Sequence, residues 1–558
     1  MAELDFFFDL PLASQRGLLE LQLPGIWTAP VPERESRLRR FLEQYDLEPY
    51  REKIARGLLE ATRIESMIPE FYAAFRPVVR DGISFFLARF SAGRLQELVL
   101  RQFVLPAEAE PGRRLTALVS RIPVLFKLGQ MVARNPHFAQ EDRAWLTSLE
   151  DRVPTDEPDY DDPAPIGFDP PAADENFALQ YSGVLLGAAS VGRTVEARWK
   201  TGADSPWNRA VVKTLRPHVR DCLSEELAIL TDLGEHLEAN RSRYEVREFP
   251  FRSVFAEIRE TLAREIDFPR EQANLRAAHE QYAGCRGVQI PVVLPPSNAV
   301  RTVMTRMSGQ SMQRLGLSAS QRRHLARRVF HGFVLFPLLG QADRAIFHGD
   351  PHAGNFLIDV SGSTPVLSLL DWSQAGYLNR RQRQALWQMA LGLAGREPTR
   401  IFRQLMRLTE SPARLKEQII AVHDFIDRQD RQDRQDRRDR QATELADHLL
   451  GKACALIDEL SSLGITFPFE LLLFRKALFT VEGVVRELDP DFAFDRETAQ
   501  VVGEQAVGEI PGRCWRGFFP LFDRPDVYSA PLTNRDVHCL AQDLVLRGGT
   551  RWLASLQG

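Results

Sequence analysis

The feature that most constrains the fold is the polar sequence HGDPHAGN, which follows an apolar run and carries Asp350 and Asn355. Asp371 comes sixteen residues after Asn355, at the end of another apolar run. The interval holds two β-like runs, 356–360 and 365–369, joined by the turn sequence SGST, and therefore predicts a β-hairpin. Such a hairpin would return Asp371 to the loop that holds Asp350 and Asn355. The chain must therefore form strands as well as helices around this point.

These three polar side chains have the spacing that phosphoryl-transfer sites use. Asp350 would orient or deprotonate an acceptor hydroxyl, while the amide of Asn355 and the carboxylate of Asp371 would hold Mg²⁺ against the phosphates of ATP. The alternative interpretation is a polar loop between two core strands that has no chemical role. Because all three groups occur in this order and at this spacing, the sequence favours a phosphotransferase-type active site.

Composition excludes several other classes of protein. The chain has 558 residues, and its 71 Lys and Arg against 75 Asp and Glu give a formal net charge of −4, which does not favour a nucleic-acid partner. The five cysteines are scattered without a CxxC pair, which predicts a reduced, cytoplasmic chain. No basic segment precedes the first apolar stretch, as a signal peptide would require. No window reaches the roughly 18 apolar residues of a membrane-spanning helix.

A kinase-like site also needs a lysine on a strand, a loop of small residues over the phosphates and a hinge for adenine. Lys213 ends the short apolar run AVVK and has the expected position. One hairpin upstream, the run 186–193 is rich in small residues, which allow backbone N–H groups to approach phosphates closely. Its candidate phosphate-binding residues are Gly187, Ala188, Ala189 and Ser190. Met304 and Met307 lie where a strand runs into a turn, which we predict to be the hinge.

The carboxylate that positions the lysine has two candidates, Glu265 and Glu271, and the residues alone leave both open. Both belong to a long helical passage that Pro269 must interrupt, because proline lacks an amide hydrogen and clashes with the preceding turn. His348 and His352 flank the catalytic loop. Two histidines around a Pro-Gly loop rarely make a metal site, so we expect structural hydrogen bonds from them.

Taken together, these residues resemble the UbiB/AarF/ADCK family of atypical kinases, over most of residues 115–490. The sequence KLGQ at 127–130 is similar to the family's KxGQ signature, and EDRVP at 150–154 is similar to the D-x-V-P segment that follows it. The small-residue loop resembles the family's alanine-rich loop, and Glu265-Ile266-Asp267 matches its ExD motif. Members of this family are associated with ubiquinone and other isoprenoid-lipid metabolism.

The resemblance implies ATP and Mg²⁺ as cofactors and assigns a role to each matching residue. Lys213 would contact the α- and β-phosphates, with Glu271 as its partner. Asp350 would be the catalytic-loop aspartate, with Asn355 and Asp371 as the metal ligands.

The resemblance also implies a regulatory lid. Lys127 and Gln130 would fold over the active site, near Glu265 or Asp267, and block the groove in which a peptide substrate would bind. ATP hydrolysis, or transfer to a lipid or quinone precursor, is then expected rather than ordinary protein phosphorylation.

The implied fold is α+β, a bilobal protein-kinase-like fold with an N-terminal helical extension and a helical C-terminal region. The predicted regions are an N-terminal helical region (1–110), the KxGQ-bearing extension and linker (111–173), an N-lobe (174–309), a C-lobe with helical additions (310–490) and a helical tail (491–558). Peripheral membrane association through the apolar segment around Phe6-Phe7-Phe8 stays open.

Two other functions remain as alternatives. A small-molecule phosphotransferase of the aminoglycoside or choline kinase kind shares the HGDxxxxN string but lacks the KxGQ and ExD motifs. A nucleotide-binding pseudokinase scaffold gains weight from two departures from the family pattern. Ser373 replaces the glycine expected after Asp371-Trp372, which restricts the backbone there. Arg193 replaces a glutamine and would either contact a phosphate or face solvent.

Overall fold

A computed structural model describes residues 2–125, 177–436 and 448–518, with gaps at 29, 107, 189–191, 203, 216, 247–248, 363 and 410–414, and also residues 528, 533–534 and 538. The chain divides into two compact units. Unit 1 comprises Met1–Phe268 and Leu294–Met304, and unit 2 comprises Pro269–Val293 and Thr305–Gly558. Helices and small sheets occur together, which confirms the predicted α+β, kinase-like class.

The first part of unit 1 is helical, as predicted. Its helices are Ala2–Asp9 (α1), Leu12–Gln22 (α2), Pro24–Trp27 (α3), Val31–Leu42 (α4), Arg51–Thr62 (α5), Arg76–Ala88 (α6), Ala92–Val104 (α7) and Pro111–Val119 (α8), followed after the first strands by Pro217–Ala239 (α9) and Phe251–Ile266 (α10). Helix α7 shows why they form: Leu95, Leu98, Val99 and Phe103 recur at helical spacing and are buried. The apolar faces of these helices share one core.

The apolar segment at the N-terminus is part of that core. Phe8 and Leu12 are buried in it, and Phe7 packs against it, while Phe6 is exposed. The helical core therefore covers most of the apolar side chains of this segment and leaves the Phe6 ring exposed. Among the described residues, no helix has both the length and the apolar character needed to cross a membrane.

Unit 1 also contains a sheet formed by Phe177–Ala188 (β1), Gly192–Thr201 (β2) and Asn208–Leu215 (β3), with Arg301–Thr305 (β5) beside β3. The strand order in this sheet is β1-β2-β3-β5. Strand β2 is antiparallel to both β1 and β3. One face carries a small core that includes Val195, Ala197, Ala210 and Val212. Because successive side chains of a strand point to opposite faces, Lys213 lies on the other face.

Unit 2 contains the remaining strands. Val288–Gln289 (β4) pairs in parallel with Val366–Leu369 (β8), and β8 pairs with Phe356–Asp359 (β7). Strands β7 and β8 are the predicted hairpin, which is confirmed. Arg344–His348 (β6) pairs with Ala375–Asn379 (β9) in a separate antiparallel ribbon.

The helices of the rest of the chain are Phe268–Tyr282 (α11), Ala319–Phe330 (α12), Phe336–Leu339 (α13), Arg380–Gly395 (α14), Pro398–Leu408 (α15), Leu415–Asp436 (α16), Leu449–Ser462 (α17), Phe469–Leu488 (α18), Phe494–Gly508 (α19) and Ile510–Phe518 (α20), with a π-helix at His331–Leu335. Short 3₁₀ turns lie at Glu48–Tyr50, Ile64–Met67, Glu70–Phe75, Arg241–Arg243, Met312–Arg314 and Ala353–Asn355. The interruption expected at Pro269 is confirmed. Helix α10 ends at Ile266, and Pro269 is the second residue of α11, where a missing amide hydrogen has no intrahelical partner to lose.

Candidate active site

The predicted catalytic loop, residues 349–355, begins where β6 ends. His348 is buried, its Nδ1 accepts a hydrogen bond from the Asp350 backbone N–H (3.2 Å), and its Nε2–H donates to the carbonyl of Leu370 (2.6 Å). One ring nitrogen accepts and the other donates, as in a neutral imidazole. Burial lowers the pKa of His348, against the opposing effects of the Leu370 carbonyl and nearby carboxylates. His348 thus links the catalytic loop to the residue before Asp371, and its predicted structural role is confirmed.

Close packing surrounds this histidine. The ring of Phe333, from the π-helix, lies edge-on to His348 at 5.5 Å between centroids, and the ring of Trp372 lies at 5.0 Å. Gly349 has no room for a side chain, because a Cβ there would lie 2.0 Å from the carbonyl oxygen of Gln374. The glycine between His348 and Asp350 is therefore required by a close backbone approach.

Asn355 lies at the end of the loop, next to β7. Its Nδ2 donates to the carbonyl of Asp350 (2.9 Å), and its own carbonyl accepts from the Leu370 N–H (2.8 Å). Because the amide nitrogen is turned to the loop backbone, the side-chain oxygen Oδ1 is directed away from it. That oxygen is the atom a metal ion would use.

Asp371 has a left-handed backbone conformation, with φ of 47°, which is uncommon for a residue with a side chain. Its Oδ1 accepts from the Ser373 N–H (3.2 Å) and from the Ser373 hydroxyl (2.7 Å). The Trp372 carbonyl accepts from Asn274 Nδ2 (3.0 Å), and Asn274 Oδ1 accepts from the Tyr377 hydroxyl (3.2 Å). Helix α11 thus holds the segment through Asn274, a residue that no sequence motif identified.

His352 completes the loop. Its Nδ1 accepts from the Gly354 N–H (3.0 Å), and its Nε2 lies 3.8 Å from Asp350 Oδ2. The predicted hydrogen-bonding role is therefore confirmed for His352 as well. Over the part of the chain that the structure describes, no group of three or more His, Cys, Asp or Glu side chains is placed to hold a metal ion. One carboxylate and one amide oxygen do fit Mg²⁺, which takes few protein ligands and completes its shell with water and phosphate oxygens.

The strand residues of the candidate site lie in unit 1. Thr194 of β2 pairs with Gly187 on one side and with Lys213 on the other, so the sheet register places these three residues in one row. Ala188 pairs with Arg193, which is buried, so the interpretation that Arg193 faces solvent is wrong. Residues Ala189 and Ser190 lie outside the described residues.

The hinge and carboxylate candidates differ in their surroundings. Met304 is buried in β5 of unit 1, while Met307 follows in unit 2, where its sulfur is 3.9 Å from the Thr305 hydroxyl oxygen. Glu271, in the first turn of α11, is only 1% exposed. Glu265 is half-buried and Asp267 is exposed. Lys127 and Gln130 lie outside the described residues.

The structure therefore groups the predicted residues by unit. Unit 2 brings Asp350, Asn355 and Asp371 into one hydrogen-bonded arrangement. Unit 1 places Gly187 of β1 and Lys213 of β3 on either side of Thr194 of β2 in one sheet. Both groups contain residue types that a kinase-like fold carries.

Comparison with known proteins agrees with this class. Residues 173–405 match the ABC1 atypical kinase-like domain, and residues 454–493 match the UbiB helical domain. The chain is therefore similar to the ABC1 atypical kinase-like domain and to the UbiB helical domain over these two ranges, which confirms the resemblance predicted from its motifs.

Individual relatives are distant. The probable protein kinase UbiB of Xylella fastidiosa (strain M12) is 26% identical over 403 residues, which cover 69% of this chain and 68% of that protein. The uncharacterized protein sll1770 of Synechocystis is 25% identical over 394 residues, 68% of this chain and 62% of that protein. The solved complex of Rv3197 with erythromycin from Mycobacterium tuberculosis shares 18% identity with this chain and gives a TM-score of 0.38, over 56% of this chain and 75% of that chain.

Proposed function

We propose that this chain binds ATP with Mg²⁺ and uses it for hydrolysis or for phosphoryl transfer to a small or lipid-like acceptor. The observation that carries the proposal is the hydrogen bonding around Asn355. Its amide nitrogen donates to the Asp350 carbonyl within the loop (2.9 Å), and its backbone carbonyl accepts from the N–H of Leu370, the residue before Asp371 (2.8 Å). These two bonds bring Asp350, Asn355 and the segment that holds Asp371 together, which is the grouping a phosphoryl-transfer site requires. The match to the ABC1 atypical kinase-like domain supports the same function.

The proposed roles in unit 2 follow from the atoms that the loop presents. Asp350 orients or deprotonates the attacking hydroxyl or water. Asn355 Oδ1 and the Asp371 carboxylate hold Mg²⁺, which neutralises phosphate charge when it is bound. The neutral His348 maintains the distance between the two segments and takes no part in proton transfer. The protein thus contributes positioning and electrostatics rather than a covalent intermediate.

The remaining proposed roles follow the family resemblance, and the sheet register that aligns Gly187, Thr194 and Lys213 supports the phosphate-binding part. Lys213 contacts the α- and β-phosphates, and the turn from Gly187 to Ser190 covers them with its backbone N–H groups. Met304 and Met307 line the adenine. We propose Glu271 as the partner of Lys213, as the family resemblance implies. Glu271 is buried, and a buried carboxylate is retained only with hydrogen bonds or an opposite charge.

For the acceptor, we propose a quinone precursor or another isoprenoid lipid. The support is the family association and the name UbiB that the Xylella relative carries. The helical domain match at residues 454–493 also favours the UbiB type over the small-molecule phosphotransferases. Contact with a membrane surface belongs to this proposal, since such acceptors reside in lipid.

The lid is a separate part of the proposal. The Val124 N–H donates to Glu226 Oε2 (2.9 Å), which anchors the chain on α9 three residues before Lys127. We propose that Lys127 and Gln130 act together with Glu265 or Asp267 to limit the reaction to small acceptors. Lys127→Ala should change nucleotide selectivity or autophosphorylation, and Lys53→Ala, which breaks an exposed pair with Asp9 (2.9 Å), should change neither. Unchanged behaviour of both variants would argue against the lid.

The main test is ATP hydrolysis by the full chain with Mg²⁺ or EDTA, in the presence and absence of liposomes and a quinone-like phenol. We expect turnover that requires Mg²⁺ and rises with lipid or phenol. Phosphorylation of choline or an aminoglycoside instead would identify a small-molecule kinase. Absence of Mg²⁺–ATP binding would contradict the proposal and leave the pseudokinase scaffold.

A further inference from the structure

Ser373 occupies the position where a glycine was expected, and it forms two hydrogen bonds with Asp371. The side chain is 4% exposed, and both its N–H and its hydroxyl donate to the same oxygen, Oδ1 of Asp371, at 3.2 and 2.7 Å. Two donors on one carboxylate oxygen fix the rotation of the carboxylate plane. They therefore also fix the direction of the second oxygen, Oδ2.

The backbone explains why this fixation is needed. Asp371 has φ of 47°, a conformation that brings Cβ close to the following carbonyl and that persists only where the surroundings enforce it. The fully buried Trp372 and the hydrogen bond from Asn274 to its carbonyl (3.0 Å) hold the far side of this turn. On the Asp371 side of the turn, the Ser373 hydroxyl donates a hydrogen bond to the carboxylate itself.

A second Asp-x-Ser turn in the same unit provides a comparison. In the turn between β7 and β8, the Ser361 N–H donates to Asp359 Oδ1 (2.9 Å), and the Ser361 side chain also forms a hydrogen bond with Asp359. Asp359 is not among the described residues with positive φ, and it is only half-buried. The motif alone is thus a common local turn. Only at Asp371 does it act on a left-handed residue next to the catalytic loop.

We propose that Ser373 is a positioning residue for Asp371, whose hydroxyl sets the orientation in which that carboxylate binds a divalent cation. The orientation of the Asp371 carboxylate is then fixed by a side chain before the cation binds. A glycine at position 373 would supply no such hydroxyl and would leave the segment mobile. The inference rests on the proposed function of Asp371 as a metal ligand. Outer hydrogen bonds to metal-binding groups typically change metal affinity by about 10-fold to 100-fold.

The experiment is a Mn²⁺ titration of the full chain with a non-hydrolysable ATP analogue, in which free Mn²⁺ is measured by electron paramagnetic resonance. We expect Ser373→Ala and Ser373→Gly each to weaken Mn²⁺ binding by about 10-fold. Binding of the analogue in EDTA should stay unchanged in both variants, because the hydroxyl acts through Asp371 on the metal. Ser361→Ala is the matched control and should bind Mn²⁺ as the unmodified chain does.

The possible results distinguish a failure of the role proposed for Ser373 from a failure of the proposed Mg²⁺–ATP function. If the unmodified chain binds no Mn²⁺ with the analogue, the proposed function is wrong and the inference falls with it. If it does bind and both Ser373 variants bind equally well, only the inference is wrong. Circular dichroism of each variant establishes that it is folded, and the glycine variant introduces the residue common at this position, so it should fold even if the alanine variant does not.

Discussion

Two carboxylates, one in each unit, are held in different ways. Glu226 in α9 is completely buried, and it pairs with the Arg94 guanidinium and accepts from the Val124 N–H (2.9 Å). Asp371 lies in a strained turn, where the hydroxyl and N–H of Ser373 bind its Oδ1. The arginine neutralises Glu226, whereas the two donors of Ser373 orient Asp371 without neutralising it. The pairing of Glu226 with Arg94 is expected to stabilise the fold, whereas the oriented carboxylate of Asp371 is available to bind a cation.

The pKa of Glu226 reflects the depth of its burial. Burial raises the pKa of this carboxyl to about 7, because Arg94 and the Val124 amide offset only part of the effect. Arg94 also donates to the carbonyl of Arg121 (2.7 Å), so the pair joins α7 and α9 to the end of the segment after α8. If the comparison is correct, changes at Glu226 and Arg94 should affect stability, and changes at Asp371 should affect chemistry.

The largest expected effect is that of Asp371→Asn. Loss of the carboxylate charge should lower Mg²⁺-dependent turnover of ATP by about 1,000-fold or more, since charge stabilisation of the phosphates carries most of the catalysis. The thermal midpoint should stay close to that of the unmodified chain. Steady-state kinetics and calorimetry measure the two quantities, and Asp359→Asn is the control with an equivalent local turn. A folded Asp371→Asn variant with normal turnover would contradict the assignment of Asp371 as a metal ligand.

Arg94→Ala should have the opposite profile. Above the Glu226 pKa of about 7, removing its partner should cost about 3–5 kcal/mol of unfolding free energy, because the carboxylate charge is left buried. Denaturant titration measures this loss, and turnover per folded molecule should stay within about twofold, since Arg94 does not belong to the site. Arg101→Ala on the same helix is the control: its more exposed pair with Glu97 (3.1 Å) should contribute only about 0–1 kcal/mol. Equal losses in both variants would break the comparison.

The stability of the chain should also depend on pH through Glu226. The carboxyl has an ordinary pKa of 4.5 and a folded-state pKa of about 7, so the folded state binds the extra proton between these values. Its contribution to the unfolding free energy therefore falls as pH rises from about 4.5 to 7, by up to about 3 kcal/mol. Glu226→Gln should lack this slope in denaturant titrations at several pH values. The same slope in the variant would show that another group causes it.

The smallest predicted effect belongs to Asn274→Leu. Its amide holds the Trp372 carbonyl at 3.0 Å and not the carboxylate, so we expect turnover to fall only about fivefold, alongside a loss of about 1–3 kcal/mol for the unsatisfied buried carbonyl. Kinetics and denaturant titration of the same preparation give both values. A loss as large as that of Asp371→Asn would mean that Asn274 contacts the reacting groups directly.

Local patterns made much of the fold predictable. The hairpin of β7 and β8 follows from two apolar runs and a turn sequence, and the break before α11 follows from Pro269. The lysine strand follows from the run that ends at Lys213. Each of these depends on neighbours within a few residues, which periodicity and turn chemistry describe well.

Helix α9 lies outside the elements that these patterns indicated, although its sequence contains the necessary periodicity. Val219, Leu223, Leu230, Leu233 and Leu237 are all buried and recur at helical spacing. Glu226 falls in the same stripe, and a carboxylate in an apolar stripe predicts a buried, paired group. The sequence could therefore have indicated a buried Glu226, but not which residue pairs with it.

The rest of the site depends on contacts between distant residues. Asn274 and Trp372 are separated by 98 positions, and Arg94 and Glu226 by 132. The left-handed conformation of Asp371 arises from tertiary packing rather than from a turn sequence, since the similar Asp-x-Ser turn at Asp359 does not have it. Such features emerge only from the assembled fold.

The most direct test of the central claim is a calorimetric titration of ATP into the full chain, with Mg²⁺ and with EDTA, for the unmodified protein and Asp371→Asn. The account predicts that Mg²⁺ strengthens ATP binding by about 10-fold or more, and that Asp371→Asn removes this gain while the affinity in EDTA stays the same. ATP affinity that is equal with and without Mg²⁺ in the unmodified chain, or no ATP binding at all, would contradict the account.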